Sequence, residues 1–339
     1  MNSTALPQIL VTGGEGYIGV HTVRALVQRG FGVVVLDWLN NDGVEHLGVE
    51  LVVGDIADPS VLAGLFADRK FEAVVHLAAL KSVSESFERL GDYFRVNSAG
   101  TLNLTEAVVA AAGDQPPAPI VYSSTCAIYG DPDQVPVTEQ SAARPANPYA
   151  ASKFMGEEIL RWYSGKGLRS ISLRYFNAAG ASSDGSIGEG PRNAKSLIPR
   201  VMDAALGKTA EVEIYGTDYA TPDGTAVRDY VHVEDLAEAH LLALDYLLAG
   251  GGSAVVNLGS GRGTSVAEVI AVAERVSGRP VPVRHAPRRP GDAAAIWADN
   301  SRAGELLHWS PVRDLDEIIM SAWHWHSRRA ERPVGAKRE

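Results

Sequence analysis

One stretch limits the possible folds more than any other. In ILVTGGEGYIGVHTVRALVQRG, Ile9 to Gly30, an apolar β-type run meets an amphipathic helical run through Gly13, Gly14, Gly16 and Gly19. Glycines so placed permit a tight turn, let backbone approach a pyrophosphate and bring helix against strand, while the helix N-terminus offers oriented N–H groups to an anion. A second β-type run, Val33–Leu36, follows, and Asp37 comes directly after it, 18 residues beyond Gly19. An acid there meets the adenosine ribose of NAD and repels the extra phosphate of NADP. Strand, glycine turn, helix, strand and acid in this order predict an NAD site.

The same alternation runs on through the β-type segments Leu51–Val53, Ala73–Leu77, Ile120–Ser123 and Ile171–Tyr175. Helical segments such as His21–Gln28 and Asn97–Ala112 lie between them, the latter closing at Gly113. This predicts an α/β fold built on a doubly wound parallel sheet of six strands. From NAAGASSDGSIGEGPRN onward a Gly- and Ser-rich texture replaces the rhythm. The expected division is therefore near Gly180, with 1–180 as the dinucleotide-binding domain and 181–339 as a smaller, mixed α/β substrate domain. Val231–Leu248 and Val255–Leu258 read as a helix and a strand returning to the first domain. A chain of 339 residues is long for one core, which suits two unequal domains.

The segment NPYAASKFMGEE, Asn147 to Glu158, reads as a helix start, with Asn147 as N-cap and Pro148 at the first helical position. Tyr149 and Lys153 are then four apart, on one face in the opening turns. A phenol ionises near pH 10, and each unit of depression needs about 1.4 kcal/mol of preference for the phenolate. Lys153 and the positive nicotinamide of NAD⁺ both favour the anion, so the pair predicts a tyrosine general base tuned by a lysine. A hydroxyl to hold the reacting alcohol is expected at the end of the fifth strand, where Ser123, Ser124 and Thr125 stand in IVYSSTCAIYG. Cys126, just beyond, has no histidine partner in sequence and reads as a packing residue.

Charge and composition remove other classes. The net charge of −10, with no basic block beyond the Arg288–Arg289 and Arg328–Arg329 pairs, argues against nucleic acid. No apolar run has the length of a membrane span, and MNSTALPQIL carries no leader pattern. The single cysteine cannot form an internal disulfide, so a cytoplasmic location is expected. His324 and His326 in WHWH are two apart, and helical residues at that spacing point in different directions; no metal site is expected there. His76, His232, Trp323 and Trp325 read as packing residues.

Taken together, VTGGEGYIGVHT, LVVGDI, VVHLAALKSVSES, NSAGTLNL, SSTCAIYG, NPYAASK, LRYFNAAGA, VRDYVHVEDLAEAH, VNLGSG, APRRPGD and WHWHSR resemble the extended short-chain dehydrogenase/reductase family, and its nucleotide-sugar epimerases in particular. The resemblance covers nearly the whole chain. It implies a Rossmann fold, NAD as cofactor, a homodimer joined through Asp92–Ala112 and the Tyr149 helix, and inversion at C4 of a UDP-hexose, between UDP-galactose and UDP-glucose. Tyr149, Lys153 and Thr125 would be catalytic, Thr125 taking the place of the family's serine. The cofactor would be met by Gly13, Gly16, Tyr17, Ile18, Gly19, Asp37, Asp55, Ile56, Leu77, Ala78, Ala79, Lys81, Asn97, Tyr149, Lys153 and Phe176. The nucleotide-sugar would be met by Thr125, Asn177, Leu197, Tyr215, Asp292 and the arginines Arg228 and Arg289, whose guanidinium forks suit a diphosphate. Trp38 departs from the small polar residue usual after the aspartate, Ser196 replaces an asparagine or histidine, and Ile296 occupies the position that limits room for an N-acetyl group. A 4,6-dehydratase of the same family needs an Asp-Glu pair after the hydroxyl residue, where this chain has Cys126 and Ala127. A non-catalytic NAD sensor would not need Thr125, Tyr149 and Lys153 together.

Overall fold

The computed structural model describes residues 6–41, 43–190, 196–289 and 291–331; residues 1–5, read above for a leader, lie outside it. The first part runs β1 (Gln8–Thr12), α1 (Tyr17–Gln28), β2 (Gly32–Asp37), β3 (Glu50–Val53), α2 (Pro59–Ala67), β4 (Ala73–His76), α3 (Val83–Glu88), α4 (Leu90–Tyr93), α5 (Gly100–Ala112), β5 (Ile120–Thr125), α6 (Pro148–Tyr163) and β6 (Ser170–Tyr175). There follow β7 (Asn177–Ala179), α7 (Leu197–Ala205), β8 (Val212–Tyr215), β9 (Val227–Arg228), β10 (Tyr230–His232), α8 (Val233–Leu248) and β11 (Ala254–Leu258). The chain closes with β12 (Thr264–Ser265), α9 (Val266–Ser277), β13 (Val283–Ala286), α10 (Ser301–Leu307) and α11 (Leu315–Glu331).

Seven strands, not six, form the parallel central sheet, in the order β11-β6-β5-β4-β1-β2-β3. The seventh, β11, lies far along the chain and pairs with β6 at the edge. Strands β1, β4, β5 and β6 are buried along almost their whole length, as strands covered on both faces must be. On one face Val11, Val23, Leu26, Val35, Leu236 and Leu244 form a core under α1 and α8. On the other, Leu10, Leu36, Leu62, Leu104, Tyr122 and Leu160 form a second under α2, α5 and α6. A third cluster joins α7, α9 and α11 around β8, with Val201, Met202, Val269, Ala273 and Ile319 fully enclosed.

Two helix boundaries differ from the sequence reading for local reasons. His232, read as helical, ends β10 and caps α8, its Nδ1 accepting the Glu234 N–H at 3.1 Å. The helix expected from Asn97 is preceded by α4 and by a π-helical stretch, Phe94–Ala99, that widens the turn. There Asn97 Nδ2 donates to Ser152 Oγ (2.9 Å) and Ser98 Oγ donates to the Ser152 carbonyl (3.1 Å), tying this segment to α6.

Candidate active site

Strand order reverses between β1 and β4, and at such a switch point an open parallel sheet leaves a crevice beyond its carboxyl ends. Gly13 turns the chain out of β1 with φ +78°, and a Cβ there would lie 2.5 Å from the Ala78 nitrogen. Only glycine lets this turn touch the backbone after β4, which makes Gly13, Leu77 and Ala78 one wall. No side chain caps α1 at Gly16, leaving the helix N-terminus available to an anion. Asp37 is buried, its Oδ2 accepting the Glu15 N–H and its Oδ1 the Leu39 N–H, both at 2.9 Å. Burial raises the Asp37 carboxyl, and those two N–H groups hold it back. A carboxylate has about four acceptor positions, so some remain for ribose hydroxyls. Open helix end, close-approach glycine and buried acid fit a dinucleotide.

The remaining residues expected to meet the cofactor have the following surroundings within the protein. Asp55 accepts from Ala57 N–H and from Arg95 Nη1, each at 2.9 Å, and buried Ile56 packs beside Gly100. Ile18 and Leu77 pack against the first core, Ala78 against the second, and Ala79 is half-buried. Exposed Lys81 pairs with Glu189 at 3.4 Å. Two of these residues also engage their polar atoms within the protein. Asn97 donates both amide hydrogens to protein acceptors, the Leu80 carbonyl and Ser152 Oγ, while its Oδ1 accepts the Leu80 N–H; it shapes the wall through Leu80. Tyr17 directs its phenol to the Gly180 carbonyl at 2.7 Å, joining the glycine loop to the segment after β7. Trp38 is half-exposed beside Asp37.

The chemical groups stand on β5 and α6. Asn147 Oδ1 accepts the Ala150 N–H at 2.9 Å and Pro148 opens the helix, placing Tyr149 in its first turn. The three hydroxyls at the end of β5 are sorted by partner. Ser123 meets the Tyr175 phenol, Ser124 donates to Glu157, and Thr125, whose Oγ1 accepts the Ala127 N–H at 3.1 Å, is the hydroxyl that favours the Tyr149 phenolate. Cys126 has its thiol pushed up to about 12, by burial first and Asp229 second, so it is no nucleophile at neutral pH.

Lys153 is 2% exposed, and its ammonium lies 4.3 Å from the centre of the Tyr122 ring. Gly156 makes this possible, because a Cβ there would fall 2.1 Å from the Tyr122 oxygen. The expected tuning of the phenol is reversed in the chain by itself. Burial pushes Tyr149 up to about 12 and the Thr125 hydroxyl offsets this only in part. Lys153 is lowered to about 7 by burial, with Glu157 acting in the opposite direction. Sequence reasoning missed Glu157, although it continues the Tyr149–Lys153 face by one more turn. It is buried in a bidentate pair with Arg174 (Nε to Oε1 2.9 Å, Nη2 to Oε2 2.6 Å). Arg174 also donates to the Tyr129 phenol, which donates to Asn257 at 2.6 Å, linking α6 to β6, β11 and the turn after β5.

Beyond β6 the chain encloses a cavity of about 250 Å³ lined by Asn177, Leu197, Tyr215, Arg228, Arg289 and Asp292. It adjoins the chemical groups, since Tyr175 pairs in register with Thr125 and Asn177 lies two residues on. The Arg289 guanidinium lies 3.6 Å from the Tyr215 ring centre. Arg228 Nη1 donates to the Val227 and Ala293 carbonyls (2.9 and 2.8 Å), and its Nη2 lies 3.9 Å from Asp292. Buried Glu189, whose carboxyl is raised by burial, also lines the cavity and accepts from Ser196 Oγ at 2.8 Å. So does His326, lowered to about 4 by burial. Neither was singled out from sequence as lining the site. Phe176 and Ile296 are buried together with Ile128, Tyr129, Val137 and Ala298. Among the described residues no group of three His, Cys, Asp or Glu could hold a metal, and no helix is long and apolar enough to cross a membrane.

Comparison with known proteins agrees with this geometry. Residues 9–259 match the model of the NAD dependent epimerase/dehydratase family. A UDP-glucose 4-epimerase of Rhizobium meliloti is 47% identical over 324 residues, 95% of this chain and 97% of that one. The crystal structure of UDP-glucose 4-epimerase from Brucella ovis in complex with NAD superposes with a TM-score of 0.89 at 42% identity, covering 94% of this chain and 98% of that one. The Bifidobacterium longum UDP-glucose 4-epimerase in complex with NAD+ and UDP gives a TM-score of 0.88 at 36% identity, covering 95% and 99%.

Proposed function

This chain belongs to the NAD dependent epimerase/dehydratase family, and from that premise we propose that it interconverts UDP-galactose and UDP-glucose by transient oxidation at C4 of the hexose. The observation that supports the reading most is that Thr125, the hydroxyl that favours the Tyr149 phenolate, pairs in register with Tyr175, two residues before Asn177 in the lining of an arginine-bearing cavity. Bound NAD supplies reversible hydride transfer at C4 and a positive charge that favours a phenolate. Gly13, Gly16, Asp37 and the Leu77–Ala79 wall would hold it.

The protein side of the reaction falls to few groups. Tyr149 takes the 4-hydroxyl proton and later returns it, and Thr125 holds the same oxygen against the phenol. A phenol raised to about 12 by burial needs positive charge nearby to act at neutral pH. Lys153 provides it when protonated, and Glu157 favours that state. For the configuration to invert, the 4-keto sugar must present its other face to the same site. The hexose must therefore be loosely held while the nucleotide stays anchored, and Arg228, Arg289 and Tyr215, which line one cavity, would grip a uridine diphosphate. Dehydration is disfavoured, because Cys126 and Ala127 provide neither acid nor base at the two positions where that chemistry needs them.

We read the protein as a cytoplasmic homodimer. Phe87 and Leu90 on α3 and α4, and Met155 and Trp162 one face apart on α6, are large apolar side chains left exposed on the protomer. They flank the segments that the family resemblance assigns to the interface. Sedimentation at micromolar concentration should give twice the protomer mass; a protomer-sized species would contradict the dimer.

The activity is tested by proton NMR of the purified protein with UDP-galactose and no added NAD. Growth of the UDP-glucose anomeric signal to equilibrium is expected. An unchanged spectrum, also after NAD is supplied, would overturn the reading, and loss of the hexose C6 hydroxyl would indicate the dehydratase instead.

A further inference from the structure

Glu15, the one acidic residue of the glycine turn, is not accounted for by the dinucleotide cradle. Its side chain is 7% exposed and accepts three backbone N–H groups, from Asn41 (2.9 Å), Gly43 (3.1 Å) and Val44 (2.9 Å). Its own N–H donates to Asp37 Oδ2 at 2.9 Å. A Cβ on Gly43 would lie 3.2 Å from Glu15 Oε2, so the loop is fitted closely around the carboxylate. Val44 is thereby fully buried in the core under α1.

Convergent backbone N–H groups in a loop form a nest for an anion. This nest follows directly on β2 and Asp37, the ground that the 2′-phosphate of NADP would have to occupy, and the intervening Trp38–Val44 contains no Lys or Arg. The two carboxyl groups sense each other, since the Glu15 charge contributes to the raised pKa of Asp37.

We propose that Glu15 is a second determinant of cofactor choice: its carboxylate fills the N–H nest beside Asp37 as an internal anion and so excludes a 2′-phosphate independently of Asp37. The inference rests on the dinucleotide reading above and deepens it. Glu15 acts by holding the loop and by its charge; it is a specificity residue and takes no part in the chemistry. It follows that replacing Asp37 alone does not admit NADP, because the donors a phosphate would use are already taken.

The test reads the dinucleotide that each purified chain retains, released by denaturation and identified by mass spectrometry. The wild-type chain serves as control; if it carries neither NAD nor NADP and binds neither, the dinucleotide reading itself fails. Wild type and Asp37→Ser are expected to carry NAD almost alone. Asp37→Ser with Glu15→Gln, which keeps the side chain's shape and removes its charge, is expected to raise the NADP-to-NAD ratio about tenfold or more, a difference equivalent to about 1.4 kcal/mol. Where a variant purifies empty, the ratio of NADPH to NADH dissociation constants from nicotinamide fluorescence reads the same quantity. Should the double variant not fold, Glu15→Gln alone must shift that ratio several-fold in the same direction. The proposal is overturned if Asp37→Ser by itself admits NADP as fully as the double variant does. It is equally overturned if Glu15→Gln lowers the melting temperature without moving the ratio, which is what a purely structural clasp would do.

Discussion

The groups around Tyr149 and those around Tyr215 are built in opposite ways. Tyr149, Thr125, Lys153 and Glu157 stand on β5 and α6, in the sheet-bearing part of the molecule, with buried partners on neighbouring elements. Tyr215, Arg228 and Arg289 stand at the ends of two- and four-residue strands and in a connecting segment; the Tyr215 phenol donates to Glu213, its ring faces Arg289, and Arg228 meets two carbonyls and lies 3.9 Å from Asp292. Proton and hydride transfer tolerate little misplacement, so the first region is preorganised by packing. A nucleotide handle needs affinity more than precision, and its charged groups can exchange internal partners for a diphosphate on binding. On the function proposed above, one site would hold its reacting groups by packing while gripping substrate at a distance.

Three substitutions test this contrast, in descending order of effect. Tyr149→Phe keeps the ring and removes the proton acceptor, and turnover of UDP-galactose should fall about 10²- to 10⁴-fold; steady-state kinetics would show it, and near-normal turnover would break the assignment. Arg174→Met leaves Glu157 buried without its counter-charge and should destabilise the chain by about 3–5 kcal/mol in urea unfolding. Removing the exposed Arg288, paired with Asp218, should leave the unfolding midpoint in urea almost unchanged. Equal losses at both sites would erase the distinction.

A pH dependence tests the burial of Lys153 itself. Lys153 has its folded-state pKa lowered to about 7, so between that pH and its unfolded value the unfolded chain binds more protons. Stability of the ligand-free protein therefore rises with pH across this window, by up to about 1.4 kcal/mol per unit from this one group. Lys153→Met should flatten the rise of melting temperature between pH 7 and 9; an unchanged slope would show that the ammonium is not held against its charge.

Much of the first region was legible in the sequence, because its signals are local. The glycine turn, Asp37, the Asn147–Pro148 helix start and the Tyr149–Lys153 spacing each follow from short-range geometry, and six strands stood out as apolar runs. What was hidden is long-range. β11 joins the sheet across some eighty residues from β6, and nothing local to Ala254–Leu258 names its neighbour. Ser123, Ser124 and Thr125 are chemically alike, and only the positions of Tyr175, Glu157 and Tyr149 tell them apart. Lys153 was expected to lower the Tyr149 pKa because spacing reports direction, whereas desolvation depends on the complete packing around both side chains.

The central claim is that chemistry and nucleotide anchoring reside in separate groups of residues. Calorimetric titration of UDP into Tyr149→Phe tests it most directly, with Arg289→Ala measured alongside. The dissociation constant of Tyr149→Phe is expected within about twofold of wild type, and Arg289→Ala is expected to bind at least about tenfold more weakly. UDP binding lost in Tyr149→Phe and kept in Arg289→Ala would contradict it.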